Sequence, residues 1–186
     1  MPDVELYDAW ASGDREAGNE LCNRYFDPLY RFFANKVGPS AEDLVQETLA
    51  ACFEAHARWE RRAKFRTFMY AIARNILRKS IYRSNRMDVD PDFSVRSIAE
   101  LCPSPSSVAA RSEATERLDA ALRQLPVDYQ IALELYYWEE LSGPDLAEVL
   151  ELSIPAMRSR LRRAKQALEE ALEGQVAWPT SGRADP

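Results

Sequence analysis

An all-α fold is expected for this 186-residue chain, and three observations predict it. Apolar residues recur at three- and four-residue steps through most of the sequence, as one face of a helix requires. No alternating run bounded by hairpin turns is present. The turn formers cluster in a few places, above all between Asn85 and Ala110, where Asp88, Asp90, Pro91, Asp92 and Cys102-Pro103-Ser104-Pro105-Ser106-Ser107 leave little periodicity. Two small helical domains on a flexible tether follow from that pattern. The boundaries read as residues 1–86, a linker over 87–112, a second domain over 113–173 and a disordered tail over 174–186.

The elements can be placed in order. Val4 to Ala11 is a short amphipathic helix ending at Ser12-Gly13-Asp14. From Arg15, Leu21, Tyr25, Leu29, Phe32, Phe33 and Val37 follow helical spacing, with Pro28 expected to open a second piece and Gly38-Pro39 to stop it. Ser40-Ala41-Glu42-Asp43 resembles a capping box for a helix with Leu44, Val45, Leu49, Cys52 and Phe53 inward. A further helix starts near Phe65, with Phe65, Met69, Ile72, Ala73 and Ile76 inward. Past the linker, Leu118, Ala121, Leu122, Leu125, Ile131, Leu135 and Trp138 resume the pattern. Ser142-Gly143-Pro144-Asp145 caps a short helix, Glu151-Leu152-Ser153 turns, and Ser153 caps a second helix whose expected buried face is Ile154, Met157, Leu161, Ala164 and Leu168.

Charge is unevenly spread. Net charge is −6, yet residues 58–86 hold 10 basic and 1 acidic side chains and residues 158–168 hold 5 basic and none acidic. Two compact basic blocks on an acidic background form a footprint for phosphate. The C-terminal block lies on the second helix of a helix-turn-helix pattern. Arg158, Ser159 and Arg162 have the chemistry to read base edges, while Arg160, Arg163 and Lys165 suit phosphates. Pro155 and Gln166 share that arc. The N-terminal block interleaves cations with rings, as single-stranded DNA requires. Trp59, Arg61, Arg62 and Lys64 precede the helix, whose outward side is expected to present Arg66, Tyr70, Arg74, Arg78 and Tyr82, with Thr67, Asn75 and Lys79 adjacent.

Other chemistry has little support. The three cysteines, Cys22, Cys52 and Cys102, are odd in number and widely spaced, which suits reduced thiols. Cys52 and His56 lie four apart, but a metal would need two more ligands. Asp43 and Glu47 on one helix face form an incomplete nuclease site. No catalytic residue, metal or cofactor is expected, and the chain is not read as an enzyme. No run approaches a membrane span, and the sequence begins without a secretory pattern. No membrane insertion and a cytoplasmic location are therefore expected.

Asp43-Leu44-Val45-Gln46-Glu47-Thr48 and Phe65-Arg66-Thr67-Phe68-Met69-Tyr70-Ala71-Ile72-Ala73-Arg74-Asn75 resemble the second conserved region of bacterial sigma factors. Leu125-Pro126, Leu146-Ala147-Glu148-Val149-Leu150-Glu151-Leu152-Ser153 and Arg158-Ser159-Arg160-Leu161-Arg162-Arg163-Ala164 resemble the fourth region. The order and spacing resemble the extracytoplasmic-function group of the sigma-70 family. Glu151 stands where that family usually has Gly, Phe68 where it has Trp, Gly143-Pro144 where it has Tyr-Glu, and Pro155-Ala156 where it has Gly-Thr. The resemblance implies a helical bundle of the sigma-2 type and a helix-turn-helix of the sigma-4 type. It implies binding to core RNA polymerase, through the β′ and β subunits, with Asp43, Gln46 and Glu47 on a β′ coiled coil. Promoter DNA would be read as single strand at the −10 element and as duplex at the −35 element. The loop from Arg58 to Lys64 would capture a flipped base, the helix with Asn75, Arg78 and Lys79 would read −10, and the last helix would read −35. The acidic linker would thread toward the polymerase active-site channel. An anti-sigma factor is implied as the external inhibitor. A stand-alone helix-turn-helix regulator remains the alternative reading.

Overall fold

A computed structural model of the chain describes residues 1–56, 59, 64–84, 92–102 and 113–176. Helices dominate: α1 (Asp3–Ala11), α2 (Arg15–Val37), α3 (Ala41–Glu54), α4 (Phe65–Ser84), α5 (Ile98–Leu101), α6 (Glu113–Gln124), α7 (Val127–Tyr137), α8 (Gly143–Val149) and α9 (Ile154–Val176). Among the described residues, the β-type pairing is a single isolated bridge between Ser97 and Pro126. The all-α, two-bundle expectation is borne out. No helix among the described residues is long and apolar enough to cross a membrane.

Local chemistry explains the helix ends. Asp14 caps α2, its Oδ1 accepting from the Glu16 and Ala17 amides at 2.9 and 3.2 Å, which satisfies two otherwise orphan donors. Gly38 ends α2 at φ 58° and ψ −122°, a positive-φ conformation open to glycine because it has no Cβ. Two expectations fail here. Pro28 lies inside one continuous α2, because Leu21, Tyr25, Leu29, Phe32 and Phe33 bury a single face along its length and that packing overrides the lost hydrogen bond. Ser40 makes no side-chain cap, because the 3-10 turn Gly38–Ser40 runs straight into α3 in the helical region.

Helices α1–α4 pack as one bundle and α6–α9 as another. Gly18 lets α2 approach α1 closely: a Cβ there would lie 2.4 Å from Trp10 Cδ1. Tyr7 sits in the bundle's centre, its ring edge-on to Trp59 at 5.1 Å and tilted against Phe65 at 4.8 Å. Burial, then the Cys52 thiol and Asp8, push its phenol well above the usual range. One apolar core runs from Leu6 and Tyr7 through Tyr70 and Leu77 into Val127, Ile131, Leu146 and Met157. The two bundles thus close on each other. A smaller cluster of Leu122, Leu125, Leu133 and Ala164 holds α9 to α6 and α7.

The structure differs from the linker reading over residues 92–102. Phe93, Ile98 and Leu101 are buried, each worth about 1.5–3 kcal/mol relative to exposure. The Val127 amide donates to Arg96 O at 2.8 Å and the Asp128 amide to Phe93 O at 2.9 Å, so this stretch belongs to the C-terminal bundle. Three isolated apolar residues in a Pro- and Asp-rich context carry too little periodicity to announce that. The remainder of 87–112, and the tail beyond Val176, lie outside the described residues.

Candidate nucleic-acid interface

The C-terminal motif forms as its sequence dictates. Ser142 Oγ accepts from the Asp145 amide at 3.4 Å to start α8. The Leu152 amide returns to Ala147 O at 2.8 Å, and Glu151 occupies the turn with a φ of 55°. Ser153 Oγ accepts from the Ala156 amide at 3.4 Å to start α9. Met157 and Ala164 are buried along α9, and Leu161 and Leu168 are half-buried. Ile154 corrects the expected buried face, since at 42 % exposure it overhangs the end of the helix.

Pro155, Arg158, Arg162, Arg163, Lys165 and Gln166 are exposed on α9, and Ser159 is half-buried. Lys165 pairs with Glu169 one turn on at 3.9 Å. Arg160 departs from its expected role. Its Nη1 donates to Asp128 Oδ2 at 2.7 Å, so it reaches back into the protein instead of outward to phosphate.

The N-terminal surface departs further. The side of α4 expected to face solvent is covered from Arg66 to Arg74 by α7, α8 and the segment between them. Arg74 is only 7 % exposed, and its Nε and Nη2 donate to the two Asp128 oxygens at 3.0 and 3.3 Å. Its Nη1 lies 3.7 Å from Glu151 Oε2. Tyr70 is fully buried and cannot stack on a base as placed. Burial, then the nearby Glu139 carboxylate, hold its phenol far above the usual range. Arg66 donates to Glu139 through its backbone oxygen and, at 3.3 Å, through Oε2. Thr67 is buried and donates to Asp145 Oδ1 at 3.0 Å. Lys64, its side chain 75 % exposed, reaches Asp145 Oδ2 at 3.1 Å.

Asp145 ionises below the usual carboxylate range: burial alone would raise it, but hydrogen bonds from Ser142, Lys64 and Thr67 outweigh burial. Trp59 stacks on Phe68 at 5.7 Å and packs on Tyr7, so this ring serves the bundle. Asn75 and Arg78 are half-buried, while Lys79 and Tyr82 are exposed. Arg58, Arg61 and Arg62 lie outside the described residues. On α3, Asp43, Gln46 and Glu47 all face solvent, while Leu44, Val45, Thr48 and Leu49 face the core.

The residues that reasoning from sequence missed are the partners of these cations. Asp128, Glu134, Glu139 and Asp145 read as ordinary acidic residues. Glu134 accepts from a fully buried Lys36 ammonium, and also from Asn35 and Gln130 at 2.8 Å each. The one available signal was their position, since Asp128 and Glu134 interrupt the apolar run of α7 with no polar face to occupy.

Among the described residues, no three His, Cys, Asp or Glu side chains are placed to hold a metal. His56 Nε2 contacts Asp8 Oδ1 at 3.0 Å. The three cysteines are free, with the buried Cys52 thiol pushed up to about 12 by burial and then by Cys22.

Comparison with known proteins agrees with this geometry. Residues 21–87 match the family model for sigma-70 region 2, and residues 115–168 match that for sigma-70 region 4. The RNA polymerase sigma-H factor of Pseudomonas aeruginosa is 27% identical over 182 residues, covering 92% of this chain and 94% of that protein. The ECF RNA polymerase sigma factor SigE of Mycolicibacterium smegmatis is 30% identical over 169 residues, covering 87% of this chain and 65% of that one. Two solved structures share the fold. CnrH, in complex with the cytosolic domain of CnrY, superimposes with a TM-score of 0.69 at 23% identity over 92% of this chain and 97% of CnrH. The sigma factor RpoE of Bartonella quintana, in complex with the anti-sigma factor NepR, gives 0.59 at 21% identity over 83% and 96%.

Proposed function

From the premise that this chain belongs to the sigma-70 family, in its extracytoplasmic-function group, we infer that it binds core RNA polymerase and directs promoter recognition and DNA melting. The observation that carries the reading is the pair of cationic helices α4 and α9, one in each family-matched segment. Two separate cationic surfaces suit the two forms in which a promoter must be gripped. Duplex is held by phosphate neutralisation and major-groove contacts. Melted strand is held by cations along the backbone, with rings contributing about 1–3 kcal/mol per stacked base.

The roles divide by surface. The exposed Asp43, Gln46 and Glu47 of α3 form an acidic docking face for a basic element of the polymerase β′ subunit, with β as the second contact. Asn75, Arg78 and Lys79 engage the −10 strand together with Arg58, Arg61, Arg62 and Lys64, joined by Arg66, Tyr70, Arg74 and Trp59 once these are released from their packing within the protein. Pro155, Arg158, Ser159, Arg162, Arg163 and Lys165 engage the −35 duplex, joined by Arg160 once its pair with Asp128 opens. The chain works beside polymerase in the cytoplasm, and an anti-sigma factor is the remaining partner.

Core polymerase mixed with the purified chain should give run-off transcripts with defined start sites on a genomic fragment library. Replacing Arg78 and Lys79 with alanine should preserve co-elution with core and abolish opening. A chain that never co-elutes with core, or co-elutes without choosing start sites, overturns the reading. A stand-alone regulator predicts the first of those results.

A further inference from the structure

We propose that Ile154 is a specificity-determining residue of α9, an apolar tip that recognises the C5-methyl group of a thymine in the −35 duplex. This deepens the sigma-factor reading and rests on it. The starting observation is where Ile154 lies. It falls in helical register with Met157, Leu161 and Ala164, yet it is 42 % exposed while Met157 and Ala164 are buried. The first residues of α9 therefore project past the core that supports the rest of the helix. Pro155, the next residue, is exposed as well.

Charge along α9 decides which end meets DNA. Arg158, Arg162, Arg163 and Lys165 are exposed over its first three turns, and Glu169, Glu170 and Glu173 over its last. The acidic end already engages the neighbouring polar groups. Lys165 lies 3.9 Å from Glu169, and Gln166 Nε2 donates to Glu170 Oε1 at 3.0 Å. Phosphates attract the first stretch and repel the second, so α9 approaches duplex with its N-terminal half. A helix lying in the major groove contacts base edges with the residues at that end. Glu151, the acid just before it, has its carboxylate 3.7 Å from Arg74 Nη1.

The chemistry at the tip selects one base. The Ile154 side chain has neither donor nor acceptor, and Pro155 lacks even the backbone N–H. Thymine alone among the four bases displays a methyl group in the major groove, where apolar side chains meet it. Contact between that methyl and Ile154 removes apolar surface of both from water. Arg158 stands one turn on and is exposed. Side chains four apart on a helix lie about 5–6 Å from each other, so the thymine should fall within about two base pairs of the base that Arg158 grips.

The test uses core polymerase with the full chain on a promoter recovered from the genomic run-off library. Each thymine upstream of the melted segment is replaced in turn by deoxyuridine, which keeps the base pair and removes only the methyl group. The readout is the holoenzyme concentration that gives half-maximal run-off, at one fixed salt concentration. With the parent chain, one substitution should weaken binding about fourfold, the worth of one buried methyl group. Ile154→Ala should weaken binding to the unmodified template by a similar factor and no longer distinguish thymine from uracil at that position. A parent chain indifferent to every uracil, or an Ile154→Ala chain that discriminates as the parent does, overturns the proposal. The two failures separate cleanly. Run-off without a methyl effect sinks the role of Ile154 alone, while absent run-off on unmodified templates sinks the sigma-factor reading.

Discussion

Replacing Glu134 with alanine strands a charge. The Lys36 ammonium is 1 % exposed and donates to Phe32 O at 2.6 Å, to Asn35 Oδ1 at 3.1 Å and to the Glu134 carboxylate. Only the last of these is anionic, and the carboxylate also anchors Asn35 and Gln130. Removing one partner of such a pair costs about 3–5 kcal/mol, because the remaining ion keeps its desolvation penalty without compensation. For a chain of this length about 2–4 °C is lost per kcal/mol, so the melting temperature should fall by about 6–20 °C.

Thermal unfolding followed by circular dichroism at neutral pH measures this directly. The double variant Lys36→Met/Glu134→Leu should recover most of the loss, since apolar side chains fill the site without leaving a charge. pH supplies a second check with a definite sign. Burial lowers the Lys36 pKa, and Glu134 only partly opposes it. The unfolded chain therefore binds the extra proton between the folded value and the ordinary value of about 10.4, and the stability linked to Lys36 rises with pH across that window. The deficit of Glu134→Ala should narrow as the solution is made alkaline. A single variant within about 1 kcal/mol of the parent at neutral pH would refute the reasoning, because it would mean that Lys36 escapes to water at little cost.

Other outcomes follow from individual contacts. Gly18→Ala should cost about 1–3 kcal/mol in urea unfolding, since the new methyl meets an indole already held against Phe53 at 5.0 Å. Glu151→Gly should raise stability by up to about 1 kcal/mol, relieving a left-handed residue at the loss of a long pair in which the Glu151 carboxylate, though not Arg74, is exposed. Asp145 is held below its unfolded pKa, so its contribution is intact above about pH 4 and disappears as pH falls through the folded value. Sedimentation velocity should accordingly show the contact between the two bundles loosening in acid. Arg162→Ala should weaken duplex binding and reduce the slope of log affinity against log salt by about 0.9, the signature of one lost phosphate contact.

Much of the fold was legible because it rests on local rules. The helix-turn-helix announces itself through Ser142 and Ser153, two capping residues at helix starts, and the inward faces of α2 and α3 through helical spacing, except that Phe53, expected inward at the end of α3, is 43 % exposed. The exposed Asp43, Gln46 and Glu47 were equally readable, as polar positions on an apolar helix. The pairing of the bundles was not legible. Sequence periodicity says that Arg66, Tyr70 and Arg74 share one side of α4, but not whether water or another helix lies against it. Asp128 lies 54 residues from Arg74, and nothing in the local pattern links them. Pro28 illustrates the opposite error, in which a strong local signal yields to five buried neighbours.

The docking of Phe93, Ile98 and Leu101 on the C-terminal bundle fixes how far apart the two reading heads can move. While that segment stays in place, the chain between Ser84 and Asp92 is all that joins the halves, eight residue steps of at most about 3.3–3.6 Å each. The leash is thus about 26–29 Å at full stretch. Any parting of the bundles that would draw Asp92 farther than this from Ser84 requires Phe93, Ile98 and Leu101 to peel away. The parting allowed between the bundles is then governed by a three-residue apolar latch as well as by the number of residues between them.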